Sequence, residues 1–372
     1  MIKFSKITLI FHNLFFLEIK MKLAKTAFLV LTCVFCTQLS AAQIIIKTEP
    51  NVENIELGKD WDKTFAKSDE VFHQKVLFKN RYGFSLAGDL YLPKSQLSKG
   101  AKIPAVAVCG PYGAVKEQAA GFYAQELAKR GFVTLAFDPS FTGESSGYPR
   151  NISSNDINSE DFSAAVDFLG IQDFVDRKKI SIIGIGGFGG FGLNAAAIDI
   201  RISKIVASTL YDMSRLYSSG YDDGINFEGR TLMKEDLSEV RYDDALNSSP
   251  TRSVYTLPSK LSGNEPKFIA EYFDYYKTER GYHPRSVNSN SAWSVFNQLA
   301  VANSPLSLFL GEIVQPVLVI QGQNSHALFF SEETYRKLKG ENKELFIVKD
   351  ASHTDLFDKK VPFDKIENFL RN

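Results

Sequence analysis

The segment Lys179–Ile198 (KISIIGIGGFGGFGLNAAAI) constrains the fold of this chain more than any other. Its first half is a run of isoleucines, which predicts a strand buried in a sheet. Its second half, opened by Phe191 and continued through alanines 195–197, predicts a helix. The glycines between the two halves allow a sharp backbone turn. The segment therefore predicts a strand that passes through a tight glycine turn into a helix.

The glycine turn fits the pattern G-x-S-x-G, in which a serine nucleophile occupies a strained turn between a strand and a helix. In this chain the five residues are 186–190. Gly186 and Gly190 take the outer positions, and Phe188 occupies the position of the nucleophile. Because phenylalanine has no nucleophilic atom, the pattern predicts the backbone of a nucleophile elbow without its attacking group.

A second pattern fits the same turn. Gly184, Gly186 and Gly189 match the dinucleotide-binding fingerprint G-x-G-x-x-G, and Asp212 follows the next strand, where a ribose-binding acid is expected. That fingerprint normally follows the first strand of its sheet, whereas here a hairpin and two buried strands come earlier. A dinucleotide-binding oxidoreductase therefore stays the second alternative.

Predicted strands and helices alternate on both sides of this segment. Two segments of alternating apolar and polar residues flank the turn 80–83 and predict an antiparallel hairpin, Val76–Lys79 and Phe84–Leu92. The other predicted strands are Pro104–Cys109, Phe132–Phe137, Ile202–Thr209, Pro316–Gln321 and Leu345–Val348. The other predicted helices are Val115–Arg130, Asn158–Gly170, Ser331–Leu338 and Pro362–Leu370. This alternation predicts an α/β fold with a mostly parallel, doubly wound sheet.

The alternation stops after Tyr211 and resumes near residue 312. Residues 212–311 are polar and rich in aromatics, with helix-like patterns at Lys267–Glu279 and Ser291–Leu299. A segment of this length is too long for a connection, so it predicts an inserted helical lid. The predicted core is then 72–211 together with 312–372, and residues 43–71 form an N-terminal arm.

Residues 21–42 have the pattern of a secretory signal peptide: Lys22 and Lys25, an apolar run over 27–35, and small residues at 40–42. The apolar run is shorter than the ~20 residues of a membrane span, so we expect an exported protein, periplasmic or secreted, without a stable membrane anchor. Residues 1–20 are expected to be an upstream extension. The remaining chain carries a small acidic excess, which argues against a nucleic-acid partner. It keeps a single cysteine, Cys109, which excludes an internal disulfide and a cysteine-based metal site.

Several motifs together resemble the α/β-hydrolase superfamily, in particular its dienelactone-hydrolase-like and cocaine-esterase-like (serine peptidase) branches. The hairpin NRYGFSLAGDLYLP (80–93) precedes the first buried strand as it does there, and the loop 138–147 is similar to their D-x-R-G-x-G-x-S-x-G loop. The resemblance covers the chain from about residue 72 to its end. It implies a hydrolase of esters, amides or lactones, with a small-molecule or peptide substrate and no cofactor or metal.

The resemblance also assigns roles to individual residues. Tyr112 matches the tyrosine that donates its hydroxyl to the developing oxyanion, and the backbone N–H of Gly189, the residue after Phe188, is the second donor. His353 follows the last strand, where this fold has its catalytic base. Of the other histidines in the mature chain, His326 alone lies near the carboxyl end of a strand.

The acid of a catalytic triad is missing from its usual place, where Asn324 stands. Asp212, at the end of the preceding strand, is the substitute, and the alternative is that this aspartate caps the helix that opens the insert. Cys109 is expected to be a small buried hydrophobic residue rather than a replacement nucleophile. Nothing in the sequence favours two further hydroxyls, Ser140 and Ser352.

Two functions of the hydrolase fold stay open. In the first, Tyr112 and Gly189 stabilise an oxyanion while His353 activates water, and the chain hydrolyses its substrate by an unorthodox route. In the second, the protein keeps the fold and the pocket for binding, with the Phe188 ring filling the reaction site. Loss of a triad member lowers catalysis by ~10⁴–10⁶-fold, which predicts weak or absent activity on ordinary esters.

Overall fold

Eight strands form a single mixed sheet, in the order β1-β2-β4-β3-β5-β6-β7-β8. The first two strands of this order pair antiparallel, as do β2 and β4, and all other neighbours pair parallel. The strands are β1 (Val71–Lys79), β2 (Ser85–Pro93), β3 (Ile103–Cys109), β4 (Val133–Phe137), β5 (Val175–Ile185), β6 (Ile205–Ser208), β7 (Val317–Gly322) and β8 (Lys343–Val348). The predicted mostly parallel sheet with an antiparallel hairpin at one edge is confirmed.

The structure is a computed structural model that describes residues 44–98, 100–247, 249–254, 256–295 and 297–372. The chain divides into two units, residues 1–46 and 47–372, and the fold is that of the second. The predicted upstream extension and signal peptide (1–42) lie outside the described residues. In the described part of the chain, no helix has both the length and the hydropathy that a membrane crossing requires.

Helices cover the sheet because the inner strands are apolar along nearly their whole length and must be buried on both faces. Those that follow the core strands are α1 (Ala119–Lys129), α2 (Asn155–Gly170), α3 (Phe188–Ile198), α9 (Leu328–Lys337) and α10 (Phe363–Arg371). Between β6 and β7 lie α4 (Met213–Ser219), α5 (Phe227–Leu246), α6 (Lys267–Tyr276), α7 (Val287–Asn290) and α8 (Asn297–Ala302).

The glycine turn has the predicted form. β5 ends at Ile185 and α3 begins at Phe188, three residues before the predicted start of the helix. Gly186 has φ +58°, in the left-handed region, and Gly187 is the N-cap of α3. Gly186 is therefore the sharpest point of the turn, a conformation that favours glycine or a strained side chain.

The segment between β6 and β7 packs against the loop that follows β3. Ser286 Oγ donates a hydrogen bond of 2.9 Å to the carbonyl oxygen of Gly113, and the N–H of Asn288 donates to the same atom at 3.2 Å. Asn288 Nδ2 donates to the carbonyl oxygen of Tyr112 at 2.7 Å. These bonds fix the loop 110–113 from the side of the insert.

Candidate active site

A cavity of about 240 Å³ lies at the carboxyl ends of the parallel strands. The turn after β5 lines it with Gly186 and Gly187, the loop after β3 with Pro111 and Tyr112, and the loop after β8 with His353. Ligands of open parallel sheets bind at this edge. A larger and more open groove of about 1230 Å³ runs along residues 53–59 and 143–148 but touches neither the turn nor His353. The smaller cavity is therefore the candidate active site.

Gly186 stands at the floor of this cavity. A Cβ atom placed on Gly186 would lie 3.1 Å from Cβ of Pro111, so the turn packs closely against the loop after β3. At the turn, the residue that borders the cavity therefore has no side chain.

Phe188 is placed differently from the prediction. Its side chain is 2% exposed and does not belong to the cavity wall. Its ring packs 4.9 Å from the ring of Phe191 and 6.3 Å from that of Phe162 on α2. Its ring also lies beside the cavity-lining Tyr112, with ring centroids 6.2 Å apart, but does not itself line the cavity. Contrary to the expectation, the ring therefore does not fill the reaction space, because Phe188 already belongs to the first turn of α3.

Gly189 is also not placed as an oxyanion donor. Its N–H donates a hydrogen bond of 3.0 Å to the carbonyl oxygen of Gly186, within the first turn of α3. Gly189 does not line the cavity, whereas Gly187, the residue directly after the sharpest point of the turn, does. The prediction placed this donor two residues too far along the chain.

Tyr112 lies where the prediction placed it, in the cavity wall beside the glycine turn. Its ring stacks on Trp293 from the insert, with ring centroids 4.2 Å apart and an interplanar angle of 23°. Its ring also meets Tyr217 edge-on at 6.5 Å. The tyrosine thus joins the core loop to the aromatic side chains of the insert.

His353 lines the same cavity and is 1% exposed. Its Nδ1 atom lies 2.9 Å from the hydroxyl oxygen of Thr209 and 3.2 Å from that of Ser325. Because the Thr209 hydroxyl donates to Gln321 Oε1 at 3.1 Å, its oxygen is suited to accept a hydrogen bond from Nδ1–H. This arrangement leaves Nε2 as the ring nitrogen that can meet a ligand.

Burial, followed by the neighbouring His326, lowers the pKa of His353 well below its ordinary value. The imidazole is therefore neutral near pH 7. No sequence signal pointed to Thr209 or Ser325, since their role depends on a contact between distant parts of the chain.

Asp212 does not partner His353. Its carboxylate accepts a hydrogen bond of 3.1 Å from the N–H of Arg215 and another from the hydroxyl of Ser214. It is the N-cap of α4, so the capping alternative is confirmed and neither a triad acid nor a ribose ligand remains at this position. Asn324 is exposed, and its neighbour Ser325 takes the place beside the imidazole.

A second histidine lies beside the site. The ring centroid of His326 is 5.0 Å from that of His353, and its Nε2 atom lies 2.8 Å from the hydroxyl oxygen of Tyr211, which lines the cavity. Phe268 stacks on the His326 ring at 4.5 Å. Burial lowers the pKa of His326 to about 4. The sequence had indicated only that this histidine follows a strand.

The other candidate nucleophiles lie outside the cavity wall. Cys109 is fully buried in β3, and burial raises the pKa of its thiol well above the ordinary value. Ser140 donates a hydrogen bond of 2.8 Å to the carboxylate of Asp161. Ser352 accepts one of 3.2 Å from the N–H of Asp355. All three side chains are therefore held in structural contacts away from the cavity.

Three carboxylates near the start of α1, those of Glu117, Asp138 and Glu144, lie close enough together to hold a metal ion. The Nζ atom of Lys116 already occupies their centre, 2.7 Å from Glu117 and 2.9 Å from Asp138. Burial alone would lower the pKa of Lys116, but these carboxylates and Asp89 together hold it well above its ordinary value. The ammonium group thus supplies the positive charge that this cluster requires.

Known proteins resemble this chain in both sequence and fold. Residues 83–355 match the sequence model of the family described as X-Pro dipeptidyl-peptidase (S15 family). The chain is 48% identical over 339 residues to the Uncharacterized protein PA2218 of Pseudomonas aeruginosa, which covers 90% of each chain. The crystal structure of that protein superposes with a TM-score of 0.82, at 49% identity, over 86% of this chain and 99% of its own.

Two further proteins with sequence or structural similarity carry hydrolase names. The Thiohydrolase aneE of Aspergillus aculeatus is 32% identical over 140 residues, 38% of this chain and 42% of its own length. The Alpha/beta hydrolase GrgF from Penicillium sp. sh18 shares the fold, with a TM-score of 0.63 at 19% identity over 80% of this chain and 98% of its own.

Proposed function

The chain belongs to the X-Pro dipeptidyl-peptidase (S15) family, and we propose that it is an exported hydrolase-fold protein that binds a small molecule without forming an acyl-enzyme. The binding site is the cavity of about 240 Å³ beside the glycine turn, called the Gly186 cavity below. The hydrolase-like α/β fold supports the part of this proposal that concerns the fold. The signal-peptide pattern of residues 21–42 supports export.

The single observation that carries the proposal is the position of Gly186. In G-x-S-x-G enzymes the nucleophile stands at the strained point of the turn between strand and helix. Here that point, marked by φ +58° and by contact with the cavity, is Gly186. The motif is then 184–188, with Gly186 in place of the nucleophile, so the turn has no side-chain atom that could attack a carbonyl carbon.

The state of His353 supports the same conclusion. A general base works best when its pKa lies near the working pH, and it is strengthened by a carboxylate on its other nitrogen. His353 has a pKa far below its ordinary value and only hydroxyl groups at Nδ1. An imidazole of this kind is a weak base toward water.

Slow hydrolysis without a covalent intermediate is the second candidate function, favoured by one feature. His353 is neutral and lines the cavity, so Nε2 can accept a proton from a water molecule that attacks a bound ester or lactone. Gly187 N–H and Tyr112 would then stabilise the oxyanion. The low basicity of His353 limits this route to activated substrates.

Mixing the mature protein with p-nitrophenyl acetate tests the proposal. We expect no burst of p-nitrophenol and no acetylated protein in the intact mass spectrum, because acylation needs a nucleophile at the turn. A stoichiometric burst with an acetyl adduct that disappears in a His353→Ala variant would contradict it. A steady rate without any adduct would instead establish the second candidate.

A further inference from the structure

The walls of the Gly186 cavity are aromatic and uncharged. Six of the side chains that line it are tyrosines or tryptophan: Tyr112, Tyr211, Tyr217, Tyr272, Tyr276 and Trp293. Apolar side chains such as Leu216 and Ile269 complete the walls. Among the described residues that line the cavity, none is an aspartate, glutamate, lysine or arginine. The neutral imidazole of His353 adds no charge.

Two polar side chains of the cavity wall already have hydrogen-bond partners in the protein. The hydroxyl of Tyr211 pairs with His326, and Asn288 donates its amide to the carbonyl oxygen of Tyr112. Burial raises the pKa of Tyr211, Tyr217, Tyr272 and Tyr276, so their phenols stay protonated. An ion that enters this space loses its hydration and finds no opposite charge. Such desolvation costs several kcal/mol per ion.

From these walls we infer that the cavity selects a small uncharged ligand with a flat apolar body and a carbonyl oxygen, of the aromatic ester or lactone class. The stacked pair of Tyr112 and Trp293 offers a flat wall for a ring. The cavity volume of about 240 Å³ lies below the roughly 300–1000 Å³ of drug-sized sites, so the ligand has one or two rings.

The same observations disfavour a peptide as the ligand of this cavity. The N-terminal ammonium of an X-Pro peptide needs a carboxylate partner once it is desolvated. The described lining offers none, and the nearest acidic group of the loop after β6, Asp212, is occupied at the start of α4. The family is named for a dipeptide substrate, but this cavity has different electrostatics.

This inference rests on the proposed binding function, and it is tested with three probes of similar size. Dihydrocoumarin is a neutral lactone, its ring-opened acid is an anion at pH 7, and 3-phenylpropylamine carries an ammonium group at the same pH. Binding is measured by calorimetry and by tryptophan fluorescence. Trp293→Phe keeps Trp61 as the remaining tryptophan of the chain, and this variant shows which signal comes from the cavity.

We expect the lactone to bind at least tenfold more tightly than either ion. An anion or cation that binds as tightly as the lactone overturns the selectivity and leaves the binding function in place. If none of the three probes binds to folded protein, the binding function itself is overturned.

A charge placed on the wall gives a second, independent measurement. Ile269 lines the cavity and is only half-buried, so Ile269→Glu is compatible with folding. We expect Ile269→Glu to gain affinity for the ammonium probe by tenfold or more, whereas the neutral control Ile269→Gln does not. Equal affinities in the two variants would show that charge at the wall does not control binding.

Discussion

The Nδ1 atom of His353 lies 2.9 Å from the hydroxyl oxygen of Thr209, although 144 positions separate the two residues in the chain. Ser325 approaches the same nitrogen from the loop that follows β7. In a triad this nitrogen faces a carboxylate, which orients the ring and stabilises its protonated form. Two hydroxyls orient the ring but carry no charge. The histidine is therefore held in position without being strengthened as a base.

Restoring a hydroxyl at the turn should create an acyl-enzyme. In Gly186→Ser the new Cβ atom meets Pro111 at 3.1 Å and the residue keeps a positive φ, so we expect a loss of about 1–3 kcal/mol in the free energy of unfolding. We also expect a burst of p-nitrophenol and labelling by a fluorophosphonate, because the new hydroxyl then belongs to the cavity that His353 lines. A folded variant without either signal would show that the rest of the machinery is not assembled.

Phe188→Ser is the matched control for this variant. Because the Phe188 ring packs against Phe191 and Phe162 outside the cavity, a serine there gains no access to the ligand space. We expect no labelling and a loss of about 3–5 kcal/mol in the free energy of unfolding, as for other buried phenylalanines. Labelling at position 188, located by peptide mass spectrometry, would return the nucleophile position to the centre of 186–190.

A carboxylate beside His353 should increase the gained activity. In a Gly186→Ser background, Ser325→Asp places a negative charge near Nδ1 and raises the pKa of the imidazole. We expect kcat/KM for p-nitrophenyl acetate to rise at least tenfold, since the acid of a triad contributes up to ~10⁴-fold. Ser325→Asn, similar in size and uncharged, should give no such increase. Equal rates for the two variants would place the acid position elsewhere.

His326 should make the protein less stable in acid. Its folded pKa of about 4 lies below the ordinary value of 6.5, so the unfolded chain takes up the proton first as pH falls. The contribution of His326 to the free energy of unfolding is complete above pH 6.5. It is lost as pH falls toward 4, by up to about 3 kcal/mol. Urea unfolding at several pH values measures this slope. We expect a shallower slope for His326→Gln; an unchanged slope would assign the effect to other groups.

Lys116 should be far more important for stability than an exposed lysine. Its ammonium group is fully buried among carboxylates. Glu117 and Glu144 keep ion pairs with Arg285 and Lys75 when Lys116 is lost. Lys116→Met leaves the buried carboxylate of Asp138 without its ion-pair partner and should therefore cost about 3–5 kcal/mol. Lys129→Met is the control, because Lys129 pairs with Glu126 at the surface and such pairs contribute about 0–1 kcal/mol. Denaturant unfolding compares the two. Similar small losses would mean that the buried cluster relaxes by taking up protons.

The sheet and its glycine turn could be predicted from the sequence because their signals are local. The isoleucines of β5 and the glycines after them show the strand and the turn directly. The position of the nucleophile could not be fixed in this way. Glycines stand at 184, 186, 187, 189 and 190, so the run fits the motif in more than one register. Only the backbone angle of Gly186 and the contacts of Phe188 distinguish these registers.

Contacts between distant segments could not be predicted from one sequence. Thr209 and Ser325 reach His353 from the loops that follow two different strands, β6 and β7, and nothing near them in the sequence indicates this contact. The long helix α5 was missed for another reason. Leu237 is its one buried residue, so the helix lacks the apolar stripe that makes a helix visible in a sequence.

The hydrogen bonds from Ser286 and Asn288 to the loop 110–113 bear on engineering with this fold. Transplanting the segment between β6 and β7 from a relative would replace the two side chains that donate to the carbonyl groups of Gly113 and Tyr112. The aromatic wall that the insert contributes and the loop 110–113 are thus one structural unit and have to be exchanged together. A chimera that carries both pieces together keeps its site geometry, whereas one that carries the insert alone has to rebuild it.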